Sequence, residues 1–422
     1  MSAFATTGAP RKLTQEEADA ICARHDRLWT ARPGGARAVF SWMDITGLNF
    51  RGRNLSDADF TGAIAADCKF VGARLDHAVF FGADMQGADF SEASMRRVDL
   101  RGACLRGADL TGADLFEADL REGSIAAVDK GRGLRLLEHT QRVSDAQGAT
   151  LAGANLERSK LSGIVAVRAD FSDAILKDAK LVRANLKQAD MSGANLSGAD
   201  LSGADLSGAD LRDSVLVGAT VFGCNISEAK LEGALTDTPM GQDVADLPYD
   251  KMIAAHAQWC ETGGKSGTPS AFDGADLRAL KSIRNYNLTA LSAKGAVFYG
   301  VDMEGAQLQG AHLEGADLRN CNLRRADLRG ARLIGAKLSG ADLREASLGP
   351  LMISADRVLP ADMTRVVAKG TDFSHADLRQ AVMLFSDVSR ANFTGATMSR
   401  ADLTGAHRTG ARGLAPTLTG EG

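Results

Sequence analysis

The stretch Ala189–Leu211 reads ADMSGANLSGADLSGADLSGADL, with Met191, Leu196, Leu201, Leu206 and Leu211 at every fifth position. Ala stands two places before each of them and Asp or Asn one place before; Ser-Gly follows most. No regular element has this period. Five helical residues advance about 140° beyond a full turn, which would smear the leucines around the surface. On a strand, an odd period would send successive leucines to opposite faces. The chain must therefore turn a corner inside each unit, winding as a coil with Leu and Ala inside and the other positions outside.

The same rhythm runs from about Ala38 to Ile125, with central residues from Phe40 and Ile45 through Leu115, Leu120 and Ile125. Within it Phe recurs at every second centre from Phe40 to Phe90. If four pentapeptides make a turn, Phe40, Phe60 and Phe80 form one ladder and Phe50, Phe70 and Phe90 the opposite one. A three-sided coil would scatter them. Residues 126–148 break the pattern, which resumes at Leu151 shifted by one residue and runs to Leu231 or slightly beyond. A later array starts at Phe272 and Leu277, slips by one residue near Lys281, pauses at 349–360 and ends with Leu403. Aromatics are only 5% of the chain while Gly is 46 of 422 residues, so the interior is narrow.

Two helices precede the arrays. Thr14 is an N-cap with Glu17 as its capping-box partner, and Leu13 suits a hydrophobic staple. Ala18, Ile21, Cys22, His25, Leu28 and Trp29 follow on one face, and Pro33-Gly34-Gly35 ends the element. Pro248 suits the first turn of the second helix, with Tyr249, Met252, Ile253, His256 and Trp259 on one face before Gly263-Gly264. The recurrence of an apolar stripe, a His, a Trp and Gly-Gly implies an internal duplication. The expected organisation is a disordered N-terminus at 1–12, a helical cap at 13–35 and a first solenoid at 36–236 interrupted at 126–148. A linker with the second helix spans 237–270, a second solenoid 271–410 with its break near 349–360, and a disordered tail 411–422.

Units such as Ala108-Asp109-Leu110-Thr111-Gly112 and Ala204-Asp205-Leu206-Ser207-Gly208 resemble those of the pentapeptide-repeat family, over most of the chain. The resemblance implies a mainly β protein: a right-handed quadrilateral parallel β-helix with four units per coil. Together with the duplication it predicts two tandem solenoid halves, each preceded by a short capping α-helix. The caps have a physical reason, since the end of a β-helix exposes unpaired backbone and an open apolar interior.

Candidate sites weigh against blander readings. Gly263-Gly264-Lys265-Ser266 resembles the end of a phosphate loop, but Trp259 stands where the pattern needs Gly and a helix where it needs a strand. His25, Trp29, His256 and Trp259 read as cap-packing residues. Asp200, Asp205 and Asp210 lack calcium-loop spacing and read as solvated residues that order corners. The belt Arg319, Arg324, Arg325, Arg329, Arg332, Lys337 and Arg344 is interleaved with acids and reads as a solvated mixed face. Cys68, Cys224 and Cys321 replace the small residue and read as core, with no metal or disulfide framework. Phe81 and Phe116 follow central residues and should face outward, as a contact surface or as packing beneath the 126–148 break. They are candidate partner contacts, as are Arg135, Arg142 and Arg357 in the two breaks.

These residues point to a non-catalytic scaffold that binds a protein partner, with no catalytic, cofactor or metal site. The alternative is a DNA mimic that binds a topoisomerase such as DNA gyrase. Relatives of that kind imply strong negative charge and a C-terminal dimerisation helix. This chain has 49 basic and 53 acidic residues and no such helix signal. The same balance argues against direct nucleic-acid binding. No apolar run approaches ~18 residues and the N-terminus lacks a secretory pattern, so a cytoplasmic protein without a membrane span is expected.

Overall fold

Parallel bridges join Asp59 to Val79, Val79 to Asp99 and Asp99 to Asp119, so one coil consumes four pentapeptides. Each wall of a coil is tied to the same wall of the next coil by backbone bonds. At one wall, Leu196 N–H donates to Val215 O (2.7 Å) and Val215 N–H to Ala194 O (2.9 Å). The corner is a turn closed by Ala199 N–H donating to Leu196 O (3.0 Å), with Gly198 at φ 66°. That left-handed position explains the repeated Gly, and non-Gly residues, most of them polar, hold it elsewhere, as at Asp173 (φ 56°). The structure, a computed structural model, describes residues 10–124, 127–129, 133–135, 141–238, 248–354 and 357–414. It divides into Met1–Asp237 and Thr238–Gly422, and both units are β-helix solenoids with few helices.

The centres are the core. From Phe40 to Leu120 every fifth side chain is buried, together with the Ala two places before most of them. The ladders form as spaced: Phe40–Phe60 and Phe60–Phe80 stack at 4.9 and 4.4 Å, and Phe50–Phe70 and Phe70–Phe90 at 4.9 and 4.8 Å. Across the interior the two ladders meet edge to face, as Phe60 and Phe70 do at 5.7 Å, the arrangement that ring quadrupoles favour.

In the first unit the N-terminal segment meets all four walls of the first coil. Strand β1 (Arg11–Lys12) pairs in parallel with β2 (Met43–Asp44), and Leu13 N–H donates to Asp44 O at 2.8 Å. These residues are therefore ordered, against the expectation for 1–12; residues 1–9 lie outside the described set. Helix α1 (Gln15–Trp29) starts with the expected Thr14–Glu17 capping box. Its Gln15 amide accepts from Asn49 N–H (2.9 Å) and donates to Asn49 O (3.0 Å). Ala38 N–H donates to His25 (3.0 Å), and Arg53 reaches Asp19 at 2.9 Å. Ala18, Cys22 and His25 are buried, but Leu28 and Trp29 stay about half exposed, so the apolar stripe is narrower than its sequence.

The first break has the strands β3 (Gly123–Ser124), β4 (Ala127–Asp129), β5 (Gly133–Arg135) and β6 (Gln141–Arg142); β3 pairs with β6 and β4 with β5, both antiparallel. Asp145 then bridges to Cys104, in the place that position 124 would hold in an unbroken array. The insertion is therefore four pentapeptides and one residue long, and the odd residue shifts the phase by one. The array thus resumes at Ala146, one unit before Leu151; Ile125 lies outside the described residues and Ala146 fills the next central position. The degenerate unit at 163–167 keeps phase through buried Ile164 and Ala166. The ladder continues to Leu235, although the centres Val221, Ile226 and Leu231 are exposed.

In the second unit, helix α2 (Tyr249–Glu261) has Pro248 as its N-cap and buries Ile253, His256 and Ala257. Tyr249 lies against Phe272 at 5.9 Å. A 3-10 turn at Arg278–Leu280 absorbs the one-residue slip before Lys281. The second break is the antiparallel hairpin β7 (Leu351–Ser354) and β8 (Arg357–Leu359). Asp362 bridges to Arg332, in the place that position 352 would hold in an unbroken array. This insertion is therefore two whole pentapeptides and leaves the phase intact. Arg412 still bridges to Asn392 and Leu414 packs on the core, so order extends past residue 410; residues 415–422 lie outside the described set.

Candidate functional site

The walls are largely self-satisfied. Asp200 Oδ1 accepts from Ser202 N–H (3.1 Å) and Oγ–H (2.6 Å), which hold its carboxyl below the usual carboxylate range. Asp205 and Ser207 repeat this at 3.1 and 2.7 Å. Where Arg replaces Ser, the corner becomes an ion pair, as in Arg212–Asp210 (2.5 Å) and Arg344–Asp342 (2.5 Å). The basic belt is threaded with acids: Arg329 pairs with Asp327 of its own corner (2.6 Å), and Arg325 with Glu345 (2.8 Å) and Arg332 with Glu314 (2.9 Å) between coils. Arg319 departs from the solvated reading, because it is buried with Asp317 at 2.5 Å.

The two helix histidines are held alike. Ala38 N–H donates to His25 Nδ1 at 3.0 Å, and Ser270 N–H to His256 Nδ1 at 3.1 Å. The opposite nitrogen is thereby fixed as N–H, since a neutral imidazole carries one proton. In His256 it faces Thr289 O at 3.3 Å. Trp29 Nε1 lies 3.1 Å from His25 Nε2, but two N–H groups cannot bond each other, so the indole packs there without adding a hydrogen bond. Burial pushes both imidazoles below their ordinary pKa. Trp29 stands edge-on to His25 at 6.3 Å and Trp259 tilted to His256 at 5.9 Å, both outside the deeply buried core. After α2, Ser266 N–H donates to Thr262 Oγ1 (3.0 Å), so the phosphate-loop resemblance is a helix C-terminal turn.

Phe81 and Phe116 are half-buried on the wall. Arg101 lies over Phe81 at 5.3 Å, and Arg96 and Arg158 over Phe116 at 4.6 and 5.8 Å. Gly123, the first residue of β3, sits so close that an added Cβ would meet the Phe81 ring at 3.0 Å. Arg135 closes β5 opposite Ala127, and Arg142 closes β6 opposite Gly123; their side chains lie outside the described set. Arg357 opens β8 opposite Ser354 and is exposed.

The apolar outer face of the β7–β8 hairpin is the feature that residue patterns did not single out. Leu351 and Leu359 are paired and face the wall at Gly330, where a Cβ would meet Leu351 at 2.9 Å and Leu359 at 3.2 Å. On the other face, the paired Met352 and Val358 are 62% and 43% exposed, with Ile353 at 52%. Alternation along LMIS and RVL held this signal, but so short a strand does not stand out from loop. Beside the hairpin an open cleft of about 670 Å³ is lined by Arg329, Pro350, Met352, Arg379 and Arg400, among others. Among the described residues, no group of His, Cys, Asp and Glu could hold a metal ion, and no helix is long and apolar enough to cross a membrane.

The family model for pentapeptide repeats matches eight segments: 36–70, 65–97, 93–124, 149–188, 194–235, 287–315, 311–349 and 371–410. The chain belongs to the pentapeptide-repeat family. No curated protein matches it. Among solved structures it is similar to a pentapeptide repeat protein from the cyanobacterium Cyanothece 51142, at 26% identity over 33% of this chain and 91% of that one, with a TM-score of 0.25. HetL, a pentapeptide repeat protein involved in heterocyst differentiation regulation in Nostoc sp. strain PCC 7120, is 21% identical over 93% of this chain and 96% of its own, with a TM-score of 0.17. The plasmid-mediated fluoroquinolone resistance protein QnrB1 is 21% identical over 47% and 86%, with a TM-score of 0.22.

Within this pentapeptide-repeat chain the two hairpin insertions are the departures. The first leaves the coil after Leu120, the seventeenth unit counting Phe40 as first; the second leaves after Leu348, the sixteenth counting Phe272 as first. Counted from the start of its own array, each insertion thus falls within one pentapeptide of the other.

Proposed function

We propose that this pentapeptide-repeat protein is a non-catalytic, cytoplasmic scaffold that holds a protein partner through its hairpin insertions. In this reading the solenoids are right-handed and quadrilateral, and each is headed by its helix as a cap. One observation carries the functional part: β7–β8 turns an apolar face, Met352, Ile353 and Val358, to solvent, while the repeat walls around it are occupied by their own Asp–Ser and Asp–Arg pairs. Loops on a rigid scaffold are the usual place for binding. The same ion pairs weigh against the DNA-mimic alternative. Asp99, Asp119 and Asp210 are each neutralised by the Arg two places on, at 2.7, 2.7 and 2.5 Å, which leaves no unbroken anionic stripe there.

The bridge register defines the test. Removing residues 124–144 and 351–360 restores the pentapeptide rhythm across both breaks. Cross-linking mass spectrometry in the native cell should lose its cross-linked proteins in this variant, with the circular dichroism melt retained. Unchanged cross-links in a folded variant would end the reading.

A further inference from the structure

A two-stranded hairpin seated on a wall should present polar residues outward, since only one face has anything to pack against. In β7–β8 both faces are apolar. Leu351 and Leu359 face Gly330, and the cross-strand pair Met352–Val358 faces solvent with Ile353 beside it at the register shift. No third strand joins the hairpin among the described residues. A cleft abuts this face, and its lining has one chemistry: Arg329, Arg379 and Arg400 with Pro350, Met352, Gln380 and Ser399, and no carboxylate. Arg329 and Arg379 each hold an aspartate of their own wall, Asp327 at 2.6 Å and Asp377 at 2.8 Å. Arg400 is exposed and has no acidic partner among the described residues.

We propose that the outer face of β7–β8 and the arginine cleft beside it form one docking surface for an extended acidic peptide segment of a partner protein, with apolar side chains alternating with carboxylates. The apolar side chains cover Met352, Ile353 and Val358. A carboxylate enters the cleft and pairs with Arg400, whose planar guanidinium suits two-point recognition. An all-acidic ligand would leave the apolar face wet, and a basic one would meet three guanidiniums. The site rests on the scaffold reading above and adds the chemistry of what is held.

The experiment is fluorescence anisotropy with the full chain and labelled octapeptides of alternating Glu-Leu, Lys-Leu and Glu-Ser, plus a short DNA duplex as a fourth arm. Saturable binding of Glu-Leu alone is expected, with Arg400→Glu and Met352→Asp each weakening it at least ten-fold. Arg365→Glu, on another wall, should change it less than two-fold. Equal binding of Lys-Leu or Glu-Ser, tighter binding of the duplex, or indifference to both cleft substitutions in chains with native melts would overturn the proposal. Removal of residues 351–360 separates the two ideas. Loss of cellular cross-links with no Glu-Leu binding by the wild type sinks the acidic-peptide assignment and spares the scaffold; cross-links retained after removal of both insertions sink the scaffold reading itself.

Discussion

His25 offers the sharpest test of how the N-terminal segment is tied to the first coil. Ala38 is fully buried and its N–H has the imidazole Nδ1 as acceptor at 3.0 Å. The His25→Phe substitution keeps an aromatic ring of similar size but removes the acceptor. A buried donor left without a partner costs about 1–3 kcal/mol, and each ~1.4 kcal/mol is tenfold in an equilibrium. Opening of the first coil should therefore become roughly 5–150 times more frequent. Native-state hydrogen exchange reads this directly, because each repeat is held chiefly by its neighbours. The Ala38 amide should exchange faster by that factor while Leu100, several coils further in, stays unchanged. Protection of Ala38 within two-fold of wild type would refute the lock. The wild type also carries a pH signature. Burial lowers the folded-state pKa of His25, so the unfolded chain binds the proton more readily. Its contribution is complete above the unfolded value of about 6.5 and declines as pH falls below it towards the folded pKa. Ala38 protection, corrected for intrinsic exchange, should fall below pH ~6.5 in wild type and stay flat in His25→Phe.

Phe60 touches both ladders, stacking at 4.9 and 4.4 Å and meeting Phe50 and Phe70 edge-on at 6.3 and 5.7 Å. Phe60→Ala should cost about 3–5 kcal/mol in urea unfolding of the first unit, and a loss below about 1 kcal/mol would mean the rings repack. Burial pushes the Cys68 thiol up to about 12 and that of Cys22 to about 11, so a thiol reagent at mildly alkaline pH should spare both until the chain unfolds. Reaction of Cys68 in native protein would place it outside the core. The Asp200 and Asp205 carboxyls are held low by their corner Ser residues, so their contribution is present above the unfolded Asp value of about 3.9 and is lost as pH falls through the folded pKa. Acid titration by carboxylate NMR should find both below ~3.9, and Ser202→Ala and Ser207→Ala should each move its own Asp upward.

The period of five makes the interior legible, since a residue that must point inward at every corner has little freedom of identity. Phe at every second centre announces the four-unit coil as clearly as any bridge does. The breaks are harder. An insertion of four pentapeptides plus one residue shifts the phase, and one of two whole pentapeptides does not, so Ala146, a small centre beside the first break, does not announce itself as Leu151 does. Partners distant in sequence are not legible at all. Nothing local ties His25 to Ala38 or Gln15 to Asn49, because those bonds exist only once the first coil has closed. Arg319 looks like its solvated neighbours, and its burial depends on tertiary placement that a charge pattern does not carry.

The four-pentapeptide coil has a consequence for engineering. Every outward position on a unit is given by two integers, a wall and a coil, as on a coordinate grid. Transplanting the second hairpin by one full coil would slide it one strand spacing, ~4.8 Å, along the axis on the same wall, and transplanting it by a single pentapeptide would carry it round a corner. A ladder of such transplants would turn the solenoid into a ruler, and the position at which a partner lets go would measure the reach of its own binding segment.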